Sequence, residues 1–279
     1  MPDIRYAQNE NVDRGDLRMQ VIERGTSTPI DDAKISISYS GDPDSTVEEV
    51  NTDASGMSET LTLDTPPLEL SMQPSEVQPY AEYTIQVTAK GYRPINISGI
   101  EVFSGQLSLQ EIRMDAEKAT ESMTDNIVIP AHTLFAEYPP KIAEAEIKPV
   151  TETGEIVLSR VVIPEYVIVH DGAPSDPTAR DYYVRYRDYI KNVASSEIYS
   201  TWPDATIRAN VLAIMSFTLN RVYTEWYRNK GYSFTITSST AYDQKFMYGR
   251  NIYQSISDVV DEMFQNYLSR PNVRQPILT

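Results

Sequence analysis

Cysteine is absent from this 279-residue sequence, which excludes disulfide bonds and zinc sites built on thiolates. No stretch approaches the ~20 consecutive apolar residues that a membrane-spanning helix needs. The first residues, 1–6, lack a basic start followed by an apolar run, so we expect no secretory signal peptide. We therefore expect a protein that stays inside the cell or reaches its target by a non-classical route, unless the sequence has been trimmed.

Basic residues are also scarce, because 24 Lys and Arg stand against 40 Asp and Glu and give a net charge of −16. A nucleic-acid surface needs a cluster of basic side chains. No such cluster occurs, so we expect no nucleic-acid partner and attribute the acidity to solubility. The hydrophobic fraction of 41% is typical of a soluble globular protein, and the length allows about two domains of roughly 150 residues.

Short runs of alternating apolar and polar residues follow a polar segment, residues 1–15, that we interpret as a flexible arm. The alternation continues over residues 16–115 and is typical of half-buried β-strands. Turn signals interrupt it, among them Gly41-Asp42-Pro43-Asp44 and Asp53-Ala54-Ser55-Gly56. This pattern predicts an all-β sandwich of about 100 residues.

Three segments of this region resemble the carboxypeptidase-regulatory-like family, whose fold is a transthyretin-like β-sandwich. They are residues 29–33, residues 52–56 with the sequence Thr-Asp-Ala-Ser-Gly, and residues 83–92, which end in Gly91-Tyr92. The resemblance implies a fold and no catalysis, since such modules are usually spacers or adhesive domains.

The rest of the chain has a different character. Residues 116–163 are predicted to be a linker with one short strand or hairpin near 156–163. From residue 164 onwards, apolar residues recur at helical spacing, and we predict helices at about 184–196, 203–229 and 251–269, with a strand at 232–237. Gly231 is expected to end the second helix as a left-handed cap. The sequence therefore predicts a two-domain protein, with an N-terminal sandwich and a C-terminal, helix-rich α+β domain.

Glu197 is the main candidate for chemistry. It lies at the end of one predicted helix and shortly before the next, which begins near Pro203. A lone carboxylate there could be a general acid, or an ordinary surface charge near a helix terminus.

The segment around Glu197 resembles the stage II sporulation protein D family, whose domain also occurs in amidase-enhancer proteins of bacterial walls. Tyr189, Ile190, Val193, Ser196, Glu197 and Ile198 fit its first motif, and residues 202–213, beginning Trp-Pro, fit the second. The segment 236–246 is similar to a later family motif. The three matches occur in order within residues 164–279.

The resemblance implies a peptidoglycan-directed protein of the cell envelope or spore surface, similar to lytic transglycosylases that cut glycan strands, with Glu197 as the catalytic acid. It makes peptidoglycan glycan strands the implied substrate, with spore or cell-wall proteins as further partners. The residues expected to contact the glycan are Tyr199, Trp202, Asp243 and Gln244. More often, however, residues such as Asp243 and Gln244 close a loop by side-chain hydrogen bonds to the backbone.

Two departures from the family bear on this expectation. Some members bind zinc through cysteine and histidine, whereas this sequence has no cysteine and neither His132 nor His170 is near Gln244 in sequence. We therefore predict no metal and no other cofactor. The family's later Gly-x-Ser-Gln-x-Gly-Ala segment is also missing, so the domain is expected to be truncated.

Other residues favour ordinary structural interpretations. Ser195 and Ser196 have no histidine nearby in sequence and are poor candidates for nucleophiles. His170 is expected at a strand end with a local partner. Two further hypotheses stay open: a non-catalytic wall or spore-surface protein that binds glycan or a partner on the same scaffold, and an assembly component built on the sandwich.

Overall fold

The computed structural model describes residues 12–117, 124–147 and 158–278. Within these ranges the protein is mostly β-sheet with a few helices, and it divides into two compact units. The first unit contains the described residues up to Ala131 together with Tyr199–Trp202 and Tyr248–Ser255. The second unit contains the described residues of His132–Ile198, Pro203–Met247 and Ile256–Thr279.

Twelve strands and four α-helices make up the regular structure of the described residues. The strands are β1 (Asp13–Glu23), β2 (Lys34–Tyr39), β3 (Asp42–Asn51), β4 (Leu61–Thr65), β5 (Ala81–Thr88), β6 (Ile95–Val102), β7 (Leu107–Met114), β8 (Asp125–Val128), β9 (Tyr166–His170), β10 (Asp181–Arg185), β11 (Ile236–Thr237) and β12 (Ile252–Tyr253). The helices are α1 (Glu69–Met72), α2 (Tyr186–Glu197), α3 (Asp204–Tyr223) and α4 (Gln254–Met263). None of these helices has the length and apolar character needed to cross a bilayer.

Two sheets form the first unit, with strand orders β3-β2-β5-β6-β8 and β12-β7-β1-β4. The predicted alternation is present: Leu17, Met19 and Val21 of β1 are fully buried, while the residues between them are partly exposed. The hydroxyl of Tyr83 on β5 donates to the carbonyl oxygen of Asp64 on β4 across 2.7 Å. This bond links the two sheets, which form a sandwich around the apolar core.

The turn predicted at Asp53–Gly56 is confirmed. Asp53 Oδ1 accepts hydrogen bonds from the backbone N–H groups of Ser55 and Met57 at 2.9 and 3.0 Å, which is the geometry of an Asx turn. Gly56 has a φ of +73°, and a Cβ atom there would lie 2.4 Å from the carbonyl oxygen of Val21. Glycine is therefore required at this position both for its backbone angle and for the close approach of β1.

The limits of the first unit differ from the predicted 16–115. Residues 13–15, assigned to the flexible arm, belong to β1, because they pair with residues 63–65 of β4. Residues 1–11 lie outside the described residues. At the other end, β8 lies in the predicted linker but pairs in parallel with β6. The segment Tyr248–Ser255 was assigned to the C-terminal domain, yet its strand β12 pairs with β7.

A buried ion pair holds this late segment in the first unit. Arg250 Nη2 donates to Glu101 Oε2 at 2.5 Å, and neither side chain is exposed. Tyr253 donates its hydroxyl to the same carboxylate oxygen at 3.0 Å. Asn251 Nδ2 donates to the carbonyl oxygen of Glu101 at 2.8 Å. Because a buried charge is tolerated only when it is paired and hydrogen-bonded, these contacts fix the segment to β6.

The second unit contains α2, α3 and the three-stranded sheet β10-β9-β11. Helix α2 runs from Tyr186 to Glu197, two residues later than predicted at its start and one later at its end. Helix α3 ends at Tyr223 rather than near residue 229, because Glu225 adopts a φ of +45°, which a right-handed helix does not allow. Gly231 has the predicted left-handed conformation, but it caps a separate 3-10 turn, Arg228–Lys230.

Three further predictions need correction. The strand predicted at 232–237 is limited to Ile236–Thr237, which pair with Val169 and His170 of β9. The last helix spans Gln254–Met263 instead of 251–269, because residues 252–253 form β12. Of the hairpin predicted near 156–163, residues 156–157 lie outside the described residues and residues 158–163 form no strand.

Candidate functional site

Glu197 is the last residue of α2, and the next helix begins at Asp204, as the sequence predicted. The carboxylate therefore stands at the C-terminal end of a helix, where the macrodipole disfavours negative charge. The acid that benefits from a helix N-terminus is Asp204, in the first turn of α3, where it also pairs with Arg208 at 2.7 Å. The helix terminus near Glu197 is therefore the C-terminus of α2, which does not stabilise a carboxylate.

The two oxygens of the Glu197 carboxyl group have different surroundings. Oε1 accepts a hydrogen bond of 2.7 Å from the backbone N–H of Lys245. Among the described residues no group donates a hydrogen bond to Oε2. One oxygen is therefore held by the backbone, while the other accepts no hydrogen bond from the described residues.

Burial decides the protonation of Glu197. Although part of the residue is accessible, the carboxyl group is enclosed closely enough for burial to raise its pKa to about 7. The hydrogen bond from Lys245 and the positive charge of Lys141 act in the opposite direction and only partly offset burial. A carboxyl group with such a pKa can hold and release a proton near neutral pH, as a general acid must.

The segment that faces Glu197 is held at its far end by Asn192, five residues earlier on α2. Asn192 Nδ2 donates to the carbonyl oxygen of Met247, and its Oδ1 accepts from the N–H of Met247, both at 2.9 Å. The side-chain amide thus pairs with the backbone two residues beyond Lys245. The sequence signal for this role was a polar residue next to Val193 in the predicted helix, and the structure shows that Asn192 is 7% exposed.

Asp243 holds the near end of the same segment. Its carboxylate accepts four hydrogen bonds of 2.6 to 2.9 Å: from Arg221 Nε, from the hydroxyl of Tyr227, and from the N–H and hydroxyl of Thr237. The side chain is 2% exposed. With its oxygens occupied in this way, Asp243 acts as an internal anchor, the loop-closing alternative considered for it in the sequence.

Gln244 is likewise engaged inside the second unit. Its Oε1 accepts from Thr218 Oγ1 at 2.8 Å, and its Nε2 donates to the carbonyl oxygen of Ile214 at 3.0 Å. The residue is 4% exposed. These contacts bind the segment to α3 and favour the structural role of Gln244 over a contact with glycan.

Two lysines lie close to this segment. Lys141 as a residue is exposed, but its ammonium group donates to the carbonyl oxygen of Asp243 at 3.0 Å. Lys245 is half-buried, with its ammonium group 5.6 Å from the ring centroid of Tyr138. Burial lowers the pKa of both lysines, and nearby carboxylates oppose that effect. Neither lysine was predicted to lie near Glu197. Lys141 lies in a region interpreted as a linker, and Lys245 contacts Glu197 through its backbone N–H and not through its side chain.

The aromatic residues predicted to contact substrate belong to the first unit. Tyr199 is 8% exposed and packs against Phe103, with ring centroids 5.2 Å apart. Trp202 lies 5.8 Å from Tyr199 and donates its indole N–H to the carbonyl oxygen of Ser71 at 3.1 Å. Their observed contacts are thus those of core packing in that unit.

The minor candidates have the expected structural roles. Ser196 donates its hydroxyl to the carbonyl oxygen of Asn192 at 2.8 Å, and Ser195 is fully buried. His170 ends β9, and its Nδ1 lies 2.7 Å from Asp181 Oδ1, which confirms the local partner.

A cavity of about 170 Å³ lies in another part of the second unit, and Glu197 does not line it. Its walls include Tyr166, Val222, Tyr227 and Phe234. In the part of the chain that the structure describes, no three histidine, aspartate or glutamate side chains are arranged to hold a metal ion.

Comparison with known proteins finds likeness only at the level of structure. No family model and no curated protein matches the chain. Solved structures that match include the TIE protein of Bacillus anthracis, at 15% identity and a TM-score of 0.26, over 37% of this chain and 17% of that one. A second is a 5-hydroxyisourate hydrolase of Klebsiella pneumoniae, at 17% identity and a TM-score of 0.25, over 37% of this chain and 92% of that one. A third is the minor pilin of Streptococcus agalactiae, at 11% identity and a TM-score of 0.27, over 39% of this chain and 47% of that one. These likenesses give the chain no function.

Proposed function

We propose that this protein acts on peptidoglycan as a lytic transglycosylase, with Glu197 as acid and then base. The observation that carries the proposal is the carboxyl group itself, in which Oε1 is held by a backbone N–H, Oε2 accepts no hydrogen bond from the described residues, and burial raises the pKa to about 7. The sequence adds the resemblance of residues 189–213 and 236–246 to the stage II sporulation protein D family.

The chemistry requires two successive proton transfers at Glu197, one from its carboxyl group and one back to it. The neutral carboxyl group of Glu197 gives its proton to the glycosidic oxygen as the bond from that oxygen to the sugar carbon breaks and positive charge builds on the ring. The resulting carboxylate then takes a proton from a hydroxyl group of the same sugar, whose oxygen bonds to the charged carbon. The products are a shortened strand and an anhydro-sugar end, Glu197 is again neutral, and no second carboxylate is consumed.

Incubation of the purified protein with purified cell-wall peptidoglycan tests this proposal. We expect wild type to release anhydro-sugar products, detected by mass spectrometry, and the variant Glu197→Gln to release none while its circular dichroism is unchanged. Glu262→Gln is the matched control, because Glu262 is exposed on α4 and pairs only with Arg208 among the described residues. Wild-type protein that releases no anhydro product would overturn the proposal.

A second candidate function is non-catalytic binding of glycan on the same scaffold. It is favoured by the position of the cavity, which Glu197 does not line. It predicts co-sedimentation with peptidoglycan that survives Glu197→Gln, without products from either protein. Failure of wild type to sediment with peptidoglycan would count against both functions.

A further inference from the structure

Lys141 places a positive charge near the candidate acid from a part of the chain outside the family motifs. Its ammonium group donates to the carbonyl oxygen of Asp243 at 3.0 Å and lies 4.2 Å from the ring centroid of Phe217 on α3. An exposed lysine keeps its ammonium group in water unless a specific partner offsets the loss of hydration. Here the charged end is drawn towards the interior by a backbone acceptor and an aromatic face.

The same three-residue segment holds both Lys141 and Glu197. The carbonyl oxygen of Asp243 receives the ammonium group, and two residues later the N–H of Lys245 holds Oε1 of Glu197. The carboxylate of Asp243 is fixed by four hydrogen bonds, and Met247 is fixed by the amide of Asn192. The ammonium group of Lys141 and the carboxyl group of Glu197 are therefore both bound to one segment, whose two flanks are hydrogen-bonded to the rest of the second unit.

The other ionisable groups around the site either interact with charged partners other than Glu197 or are neutral. Arg221 on α3 pairs with Asp243 at 2.6 Å and with Glu144 at 2.5 Å. The ammonium group of Lys245 lies beside Tyr138, and the charge that acts on it is Asp171. Tyr189 on α2 is a buried phenol, held neutral because burial, together with Asp243 and Glu197, raises its pKa. Among the described charged groups, Lys141 is the one that favours the ionised form of Glu197.

We propose that Lys141 is a positioning residue that sets how readily Glu197 gives up its proton and takes it back. The proposal rests on the acid–base role of Glu197 proposed above. Among the described contacts the two side chains form no direct ion pair, so the lysine stabilises the carboxylate that follows proton transfer without bonding to either of its oxygens. A direct pair would keep Glu197 ionised and unable to act as an acid.

Titration of Glu197 by carbon NMR tests this inference without any need for activity. The protein is labelled at the glutamate carboxyl carbons, and the Glu197 signal is assigned by its absence in Glu197→Gln. In Lys141→Met the charge is lost while the apolar stem stays, and Lys141→Gln is a second neutral variant should the first not fold. We expect the Glu197 midpoint to move to higher pH by roughly one pH unit in either variant. In Lys141→Arg, which keeps the charge, the midpoint should stay near that of wild type.

Lys191→Met is the matched control, because it removes a positive charge from α2 that pairs with Asp261. It should leave the Glu197 midpoint in place. An unchanged midpoint in the folded neutral Lys141 variants, or an equal shift in Lys191→Met, would overturn the role of Lys141. A shifted midpoint in a protein that releases no anhydro product would uphold that role and refute the transglycosylase function.

Discussion

Lys245 donates its backbone N–H to Oε1 of Glu197 across 2.7 Å, and so joins the end of α2 to a segment 48 residues later. The contact uses no side-chain atom of Lys245, so its geometry depends on the path of the backbone. That path is fixed by Asp243 on one side and by the pairing of Asn192 with Met247 on the other. A carboxyl group held in this way keeps one oxygen oriented while its other oxygen accepts no hydrogen bond from the described residues.

The activity should fall as the pH rises through the pKa of Glu197. Because burial raises that pKa to about 7, the proton needed for bond cleavage is present below about pH 7 and is lost above it. Measurement of kcat/KM for release of anhydro-sugar across pH should give a basic limb centred near 7. Absence of this limb in wild type would contradict the assignment of Glu197 as the acid. A limb at an unchanged pH in Lys141→Met would contradict the role of Lys141.

Glu197→Gln should stabilise the protein at alkaline pH. The pKa of Glu197 is raised from 4.5 to about 7 in the folded protein, so the folded state keeps a proton that the unfolded state has already lost. Folding stability therefore falls as the pH rises from 4.5 to 7 and is then constant. A glutamine cannot ionise, and we expect it to raise the free energy of unfolding by roughly 1–3 kcal/mol at pH 8.

Urea unfolding of wild type and Glu197→Gln at several pH values measures this effect. The two proteins should have similar stabilities near pH 4, and the difference should open between pH 4.5 and 7. A variant that is less stable than wild type at pH 8 would show that the surroundings of Glu197 stabilise its carboxylate, and that burial does not destabilise it.

Tyr227→Phe should weaken the anchor at Asp243 without removing it. The hydroxyl of Tyr227 donates to Asp243 Oδ2 at 2.6 Å, and Thr237 and Arg221 still bind the carboxylate in its absence. We expect a loss of about 1–3 kcal/mol in the free energy of unfolding, as for a hydrogen bond to a buried charged group. Tyr183→Phe is the control, since Tyr183 is 75% exposed and should change stability by less than about 0.5 kcal/mol. Equal effects of the two variants would refute the anchoring role.

The ion pair of Glu101 and Arg250 should show strong coupling in a double-mutant cycle. Arg250→Met leaves the buried Glu101 carboxylate without its arginine and should cost about 3–5 kcal/mol. Adding Glu101→Met removes the remaining charge, so the double variant should recover much of that loss. Urea unfolding of the single and double variants provides the measurement. Simple additivity of the two single effects would contradict the pairing.

Gly56→Ala should be more damaging than Gly91→Ala, although both glycines have positive φ values of +73° and +85°. The added methyl group would meet the carbonyl oxygen of Val21 at 2.4 Å in the first case and no atom within 4 Å in the second. We expect a loss of about 1 kcal/mol for Gly91→Ala from backbone strain and a larger loss for Gly56→Ala. Thermal unfolding of the two variants separates the clash with Val21 from the backbone strain that both share. Equal losses of stability in the two variants would contradict a clash at position 56.

Local patterns predicted most of the sandwich and the position of Glu197. Alternation in β1 and the turn at Asp53–Gly56 depend on residues close in sequence, and both occur as expected. The helix end at Glu197 also follows from local signals. Element limits were less accurate, as at Glu225, where a positive φ in a residue other than glycine carries no clear sequence signal.

Contacts between distant residues were not predictable in this way. Lys141 and Asp243 are 102 residues apart, and neither periodicity nor a motif links them. Asp243 and Gln244 were noticed as polar residues in a motif, but only the structure shows that Arg221, Tyr227 and Thr218 occupy their polar atoms. A single sequence identifies groups capable of chemistry, whereas their burial and partners depend on tertiary packing.

The place of Arg250 in the first unit has a consequence for synthesis on the ribosome. Glu101 emerges 149 residues before the arginine that neutralises it, which corresponds to about 7 to 30 s of translation at typical rates. During that interval the nascent sandwich lacks both the arginine that pairs with Glu101 and the strand that pairs with β7. Its folding is therefore completed only after residues 250–253 have emerged, and a fragment that stops at Ala131 should be prone to aggregation.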